Sequence, residues 1–333
     1  MTTSSAPPRA ESVDDLLGPA AGRFFGRGFR RVAYEIGDVL LVPGPQGTAT
    51  ATSSVGVRYP ADWSKKKAGS DLRPHFSTVD GLVIAAQLAE ACLSGPGGGL
   101  RDAWLRRVRI SAGTAPQEDL TGLRAEAVLR GTEAAREPGR AVSRVDCSIG
   151  TMRVRAEVEH SAAHRPSGAY EGGLDALLGP APARYYGTGF TLRTQHIRRV
   201  DVDPGQPRAS ALLDLTHDDA TVPDAGLEGA FQPSASMIDA FVTALQLGQV
   251  MLYDLDDMRR QDSNTLWMRQ TTLTASRPDR GDTALPVEVE LAETELHRMR
   301  GETWRTLDIV GRLPGLRVRS AVAHQLPEGH VSA

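Results

Sequence analysis

The sequence predicts an α+β fold made of two tandem copies of one unit, each a long apolar helix wrapped by a curved antiparallel sheet. Three observations carry this. The stretch "LLGPAAGRFFGRGF" (Leu16–Phe29) returns as "LLGPAPARYYGTGF" (Leu177–Phe190). Three further blocks return in the same order at offsets of 159 to 164 residues, and chance matches would scatter. Each copy also holds one apolar stretch with helical period, followed by runs that alternate like strands.

The copies span roughly 12–165 and 171–326, joined through residues 166–170, with a disordered lead over 1–11 and a tail over 327–333. The joining region, "SAAHRPSGAYEGG", is rich in small residues, Gly and Pro. In the first helix Val79, Leu82, Val83 and Ala86 fall at i, i+3, i+4 and i+7; in the second Ile238, Phe241, Val242 and Leu245 do the same. Ser77 precedes Asp80 by three residues and Ser236 precedes Asp239 by three, a capping box with Asp in place of Glu or Gln. "SGPGGGL" stops the first helix, and the second runs on to about "LYDLDDM".

Strand-like runs follow: "AWLRRVRISA", "LRAEAVLRG", "RAVSRVDCSIG" and "MRVRAEVEH" in the first copy. In the last of these Val154, Ala156 and Val158 share one face and charges take the other. The order is a short strand, a long helix, then an antiparallel meander, which is the hotdog pattern; two tandem copies make a double hotdog. Its sheets are expected to join edge to edge, which removes two exposed edges.

Composition bounds the function. The chain has 333 residues, 40% hydrophobic and 24% charged, with net charge −3, so no basic excess points to nucleic acid or an anionic membrane. No apolar run reaches the ~20 residues of a bilayer span, and the N-terminus has no signal-like segment, so a cytoplasmic protein is expected. Cys92 and Cys147 form no C-x-x-C pair and read as buried thiols. Lysine occurs only as Lys65-Lys66-Lys67, read as a solvated loop or a contact for an acidic group. No His/Asp/Glu spacing suits a metal, and no cofactor is expected.

Hotdog enzymes usually act on acyl thioesters, near the N-terminal ends of the long helices, where the dipole favours negative charge. Asp80 with Gln87, and Asp239 with Gln246, lie seven residues apart on one helical face. Each Asp reads either as an acid or base with a desolvated carboxyl or as a plain N-terminal helix residue. Gln87 and Gln246 orient the Asp or the acyl carbonyl, or form a structural hydrogen bond between the paired helices. Where the copies differ is the second clue: His75 aligns with Ser234, and His217 has no clear partner. His75 with Asp239, or His217 with Asp80, would make a cross-copy acid–base pair. His160 and His324 recur in both copies and read as structural, while His164 and His330 fall in linker and tail.

The repeated opening motif adds Arg23 and Arg184, the pairs Phe24-Phe25 and Tyr185-Tyr186, and G-x-G. No helix follows that G-x-G, so a dinucleotide loop is a poor reading, and the glycines mark a bend. The aromatics, Tyr185 among them, are expected on the long helix. Arg23 and Arg184 hold a phosphate or carboxylate, or pin the turn.

"VDDLLG…RFFGRGFRRV", "STVDGLVIAAQLAEACL" and the overall length resemble the avirulence D proteins of plant-pathogenic bacteria and their actinobacterial relatives. The resemblance covers most of the chain. It implies production of syringolide-like acylated butenolides: a β-ketoacyl thioester joined to a hydroxyl of a small sugar. The similar A-factor synthases run the analogous condensation with a triose phosphate. "FQPSASMIDAFVTALQ" is similar to the H-P-x-L-L-D-x-x-x-Q segment of polyketide dehydratases, but Gln232 replaces its His and Gln246 lies seven rather than four residues past the Asp.

The expected function is thus an acyltransferase or condensing enzyme, with His75 or His217 as base, Asp239 and Asp80 as carboxylates, and Gln87, Gln246, Arg23, Arg184 and Tyr185 binding substrate. Its expected partners are an acyl thioester on acyl carrier protein or coenzyme A and a small polyol acceptor, not nucleic acid or membrane. It is expected as a monomer with an internal pseudo-dimer, or as a homodimer. The alternatives are a dehydratase or isomerase of β-hydroxyacyl thioesters and a non-catalytic acyl- or butenolide-binding module.

Overall fold

The computed structural model describes residues 9–64, 73–94, 100, 102–164, 168–203, 205–218, 222–260, 266–279, 284–299 and 301–326. The Lys65-Lys66-Lys67 triplet, His330 and the tail lie outside the described residues, as do most of the lead and part of the linker.

The first copy runs β1 (Ala10–Ser12), α1 (Val13–Leu17), β2 (Ala33–Ile36), β3 (Val39–Pro43), β4 (Ala49–Arg58), α2 (Thr78–Leu93), β5 (Trp104–Ser111), β6 (Leu123–Ala134), β7 (Arg140–Ile149) and β8 (Met152–Ser161). The second runs β9 (Tyr170–Gly172), α3 (Leu174–Leu178), β10 (Arg193–Val202), β11 (Arg208–His217), α4 (Met237–Leu255), β12 (Leu266–Ala275), β13 (Ala284–Met299), β14 (Glu302–Leu313) and β15 (Leu316–Gln325). All the strands belong to one antiparallel sheet, in the order β1-β10-β11-β13-β14-β15-β12-β5-β8-β7-β6-β4-β3-β9, with β2 on β4. Its two halves meet where β12 pairs with β5, Gln270 opposite Ser111 through Thr274 opposite Arg107. This is the expected edge-to-edge join.

Both capping boxes form: Ser77 and Ser236 cap their helices through Asp80 N and Asp239 N, and each Asp accepts from the backbone N–H of its serine. The cap sets each helix start, because the first N–H groups have no intrahelical acceptor. The alternation read in β8 holds, with Val154, Ala156 and Val158 buried. The helices depart from the expected single stripe. α2 is buried along its whole length, and α4 at all but a few positions near its C-terminal end. The sheet covers one side of each helix, and material from the opposite copy covers the other.

That cover comes from the repeated opening stretches, which cross over. β1 of the first copy pairs with β10 of the second, and β9 of the second pairs with β3 of the first. α1 packs on α4 and α3 on α2. Within the echo, a Cβ on Gly26 would sit 2.4 Å from Ala20 O, and one on Gly187 2.2 Å from Ala181 O. The chain folds back on itself at a distance only glycine allows. The region before α2 holds more strand than expected. β4 reads "ATATSSVGVR", and its Ser, Thr and Gly hide the alternation that buries Ala49, Ala51, Val55 and Val57.

Candidate active site

Two connected recesses lie where β12 of the second copy crosses the N-terminal end of α2. They share His75, Ser77, Leu266 and Met268. One arm, about 70 Å³, is mostly apolar and runs between Phe76, Met152, Ala112 and Pro116. The other, about 80 Å³, is lined by Arg23, Arg260, Gln249, Ser64 and the rings of Phe24, Phe25 and Trp63. His75 stands at their junction, partly exposed, with its ring edge-on to Trp63 at 6.2 Å.

Behind His75 is Asp80, fully buried. Its carboxylate accepts from the Tyr34 hydroxyl at 2.8 Å, from the Tyr59 hydroxyl, and from Ser77 N at 2.7 Å. The Tyr59 oxygen also lies 3.0 Å from the His75 carbonyl, so one phenol ties the His75 segment to the cap of α2. Burial raises the Asp80 carboxyl, partly opposed by the Tyr59 hydrogen bond. Asp80 lines neither arm, and its contacts reach them through Ser77 and through Tyr59, which also bonds the His75 carbonyl.

Asp239 occupies the matching position with different partners: Arg193 at 2.9 Å, the Gln195 amide at 2.8 Å, and both the backbone N–H and the hydroxyl of Ser236. Arg193 and Asp239 are wholly buried, a paired charge with its lone pairs satisfied. His217 stands opposite Arg193 in the β10–β11 ladder. Burial lowers its imidazole, Arg193 adds to this, and the Asp239 and Asp218 charges oppose it. The histidines thus stand with the aspartate of their own copy, His75 by Asp80 and His217 by Asp239. This reverses the cross-copy pairing expected from sequence, because each histidine sits at the strand end or loop that leads into its own helix.

Arg and Gln also pair between the copies. Arg23 donates to Gln246 Oε1 at 2.5 Å, and Arg184 donates to Gln87 Oε1 at 3.2 Å. Each Arg also holds the carboxylate of its own short helix, Asp14 or Asp175. Phe25 packs edge-on against Phe241 of α4, and the Tyr185 hydroxyl donates to Ser236 Oγ at 2.6 Å. The aromatics therefore do meet the long helices. His160 bonds Ser143 at 2.8 Å, and Cys92 and Cys147 are buried free thiols. Among the described residues no cluster of His, Cys, Asp and Glu could hold a metal, and no helix is long and apolar enough to cross a membrane.

The second copy does not reproduce the polar arm. The space beside Arg184 is filled by Gly226 and Leu227, and a Cβ on Gly226 would lie 2.8 Å from Glu90 Oε1 and 3.2 Å from Arg184 Cγ. Glu90 is buried on α2 at the position aligned with Gln249, and burial pushes its carboxyl up to about 7. The match to the apolar arm is a groove of about 290 Å³ beside Ser236 and Arg277, with Glu228 at its edge. Glu228 is buried at φ 65°, accepts from Leu105 N and the Tyr186 hydroxyl at 3.0 Å each, and is pushed up to about 7 by burial. Sequence reasoning passed over Glu228, Gln249 and Arg260. The Glu90–Gln249 mismatch could have been found by the comparison that singled out His75; nothing in the sequence marks Glu228 as buried.

The chain is similar to several solved structures. An acyl-CoA thioesterase II, TesB2, from Mycobacterium marinum shares 13% identity over 88% of this chain and 97% of its own, at TM-score 0.36. A hot dog fold protein of unknown function from Alicyclobacillus acidocaldarius shares 11% over 86% and 96%, at TM-score 0.38. A GphF dehydratase variant shares 16% over 87% and 98%, at TM-score 0.38. No curated protein matches the sequence significantly. The family model described as Pseudomonas avirulence D protein (AvrD) matches residues 9–327, nearly the whole chain, and the chain belongs to the AvrD family.

Proposed function

We propose that this chain is a double-hotdog biosynthetic enzyme that joins a β-ketoacyl thioester, carried on acyl carrier protein or coenzyme A, to a hydroxyl of a small polyol. Ring closure, in which the carbon between the two carbonyls of the ester attacks a ketone of the acceptor and water is lost, then gives a butenolide-like product. One observation carries the reading: an apolar arm and a polar arm meet at a histidine, at a helix N-terminus. The apolar arm takes the acyl end and the polar arm the polyol. His75 removes the hydroxyl proton, and the alkoxide oxygen attacks the thioester carbon. The positive end of α2 stabilises the charge that develops on the carbonyl oxygen. The C–S bond breaks, and the thiolate recovers the proton from His75. Tyr59 and Asp80 position the His75 segment, and Gln246 holds Arg23 at the wall of the polar arm. Met152 and Met268 narrow the apolar arm, and as flexible side chains they swing aside for longer chains. The internal pseudo-dimer supplies both walls, so a monomer suffices.

The test is thiol release from a β-ketoacyl-coenzyme A, with and without dihydroxyacetone phosphate or xylulose, together with the product mass. Acceptor-dependent release that falls about 10²–10⁴-fold in His75→Gln, with an unchanged unfolding temperature, is the expected result. Release that ignores the acceptor defeats the condensation reading. A product lighter by one water from a β-hydroxyacyl substrate would mark a dehydratase instead.

A further inference from the structure

The second copy keeps a recess of its own at the head of α4. It is built from the same places in the repeat as the apolar arm and holds about 290 Å³ against about 70 Å³. Two smaller side chains on its wall make room: Ala235 stands where the first copy has Phe76, and Gly315 where it has Thr151. At ~30 Å³ for each heavy atom, the share of a water in the liquid, the groove takes a molecule of roughly ten heavy atoms. Met237, Ala275, Leu285 and Leu316 supply its apolar wall.

Glu228 lines this groove, 4% exposed, with its backbone in the left-handed region at φ 65°. Its two bonds, from Leu105 N and from the Tyr186 hydroxyl, use two of the roughly four lone-pair sites of a carboxylate. An amide would accept from Leu105 N equally well and bring no charge out of water, so tying β5 to the opening stretch does not call for an acid. A strained backbone and a desolvated carboxyl both cost stability, and both fall on one residue at the wall of a recess. The property an amide lacks is taking up and giving back a proton. Burial sets this carboxyl at about 7, so both forms are populated near neutral pH, as a proton shuttle requires.

The proposed condensation also needs a base for carbon, because ring closure takes protons from the carbon between the two carbonyls of the ester. No carboxylate is among the described residues lining either arm at His75. We infer that the groove at the head of α4 is a second active centre, in which Glu228 takes the proton from the carbon between the two carbonyls of a β-keto ester. The C–H bond breaks, the proton goes to a free lone pair of the carboxylate, and the electron pair spreads over both carbonyl oxygens as an enolate. The positive end of α4 stabilises that charge. Arg277, on the same wall, is held by Asp102 and Glu137 at 3.3 Å each and forms the rim. In ring closure the carbon attacks the ketone, and Glu228 returns its proton to the alkoxide. It then takes the remaining proton of the same carbon and delivers it to the departing hydroxyl, which leaves as water. That the ester comes from the His75 site rests on the condensation reading; the enolising centre rests on the groove and Glu228.

The experiment is hydrogen–deuterium exchange at the central carbon of methyl 3-oxohexanoate, a β-keto ester of about the groove's size, followed by proton NMR with the full chain in D2O. Exchange above the buffer background is expected, and a fall of about 10²–10⁴-fold in Glu228→Gln. The catalysed rate should rise with pH through about 7 and then level, as the carboxylate replaces the acid. The groups facing Glu228 are Tyr185 and Tyr186 of the opening stretch, Asp239 of α4, Arg193 of β10, and Arg277 and Asp279 beyond β12. Burial pushes both phenols up, away from this range. Glu90, also at about 7, does not line the groove, and its titration persists in Glu228→Gln. Ala235→Phe, which returns the side chain of the first copy, should raise the KM for the ester about tenfold or more. Arg312→Gln, at an exposed ion pair on β14, serves as the unaffected control. Background exchange with the wild type overturns the inference, as does wild-type exchange in Glu228→Gln or a rate that keeps climbing with pH, the mark of hydroxide. An unchanged KM in Ala235→Phe moves the chemistry out of the groove and overturns it as well. No thiol is present, so the two readings fail separately. Thiol release without exchange removes the second centre alone, and exchange without thiol release removes the condensation and leaves the enolising centre.

Discussion

Replacing Glu228 with Gln should stabilise the protein above neutral pH and leave it little changed in acid. Burial holds this carboxyl at about 7 in the folded chain, against an ordinary value of 4.5. At 1.36 kcal/mol per pKa unit the difference amounts to roughly 3 kcal/mol. Below pH 4.5 the group is protonated in both states and costs nothing. Between pH 4.5 and about 7 the unfolded chain has released its proton while the folded chain retains it. Stability therefore falls as pH rises through this window, and above it the penalty is constant. The amide introduced by Glu228→Gln has no charge to desolvate, still accepts from Leu105 N, and can donate to the Tyr186 oxygen. At pH 8 the variant should gain up to about 3 kcal/mol, roughly 5 °C in unfolding temperature for a chain of this length. Urea unfolding from pH 5 to 8.5 on both proteins gives the measurement. The curves should diverge as pH rises, with some slope left in the variant from Glu90. Parallel curves, or a variant less stable at pH 8, refute the reasoning. If the working half-site is the one at His75, the variant also keeps its thiol release.

Three other outcomes follow from the same geometry. Gly226→Ala combines φ 70° with a Cβ driven onto Glu90 and Arg184, and should lose about 1–3 kcal/mol by urea midpoint. Gly122→Ala, at φ 59° with nothing within 4 Å, shows the backbone cost alone, about 1 kcal/mol. Tyr59→Phe takes a donor from a buried carboxylate and should cost about 1–3 kcal/mol; a loss near zero would mean that Tyr34 and Ser77 satisfy Asp80 unaided. Ser77→Ala and Ser236→Ala should each cost about 1 kcal/mol, Ser236→Ala the more, since it also leaves the buried Tyr185 hydroxyl without its acceptor.

Local features are the legible ones. A serine three residues before an aspartate, at the head of an apolar stretch with helical period, marks a helix start, and both caps form as read. The alternation of β8 needs only its own residues, and so does the internal repeat that foretells the central join. Pairing across a distance is not legible. Nothing in "LLGPAAGRFF" says whether Arg23 meets the glutamine of its own helix or that of the other copy, since Gln87 and Gln246 are chemically alike. Only the path of the chain decides, and it sends Arg23 to Gln246. Pairing the histidines across copies is the opposite error, because sequence distance carries no information about which aspartate a loop faces. Glu228 lies beyond reach for a third reason: its burial depends on a left-handed turn between two glycines and on donors from β5 and Tyr186.

The crossing of the opening stretches bears on why both copies keep that stretch recognisable. Each one closes the exposed side of the opposite helix, so losing either would uncover an apolar helix in the other half. The echo is thus held by mutual structural dependence, and a substrate role is not needed to explain it. The recesses at the helix starts carry no such constraint, since filling one leaves the fold intact. The chain has done this beside Arg184, with Gly226, Leu227 and Glu90, and not beside Arg23. Arg23 serves the same seam as Arg184 and also lines the recess that reaches His75. The open recess beside Arg23, against the filled space beside its twin, is what favours the His75 half-site in the proposed reaction.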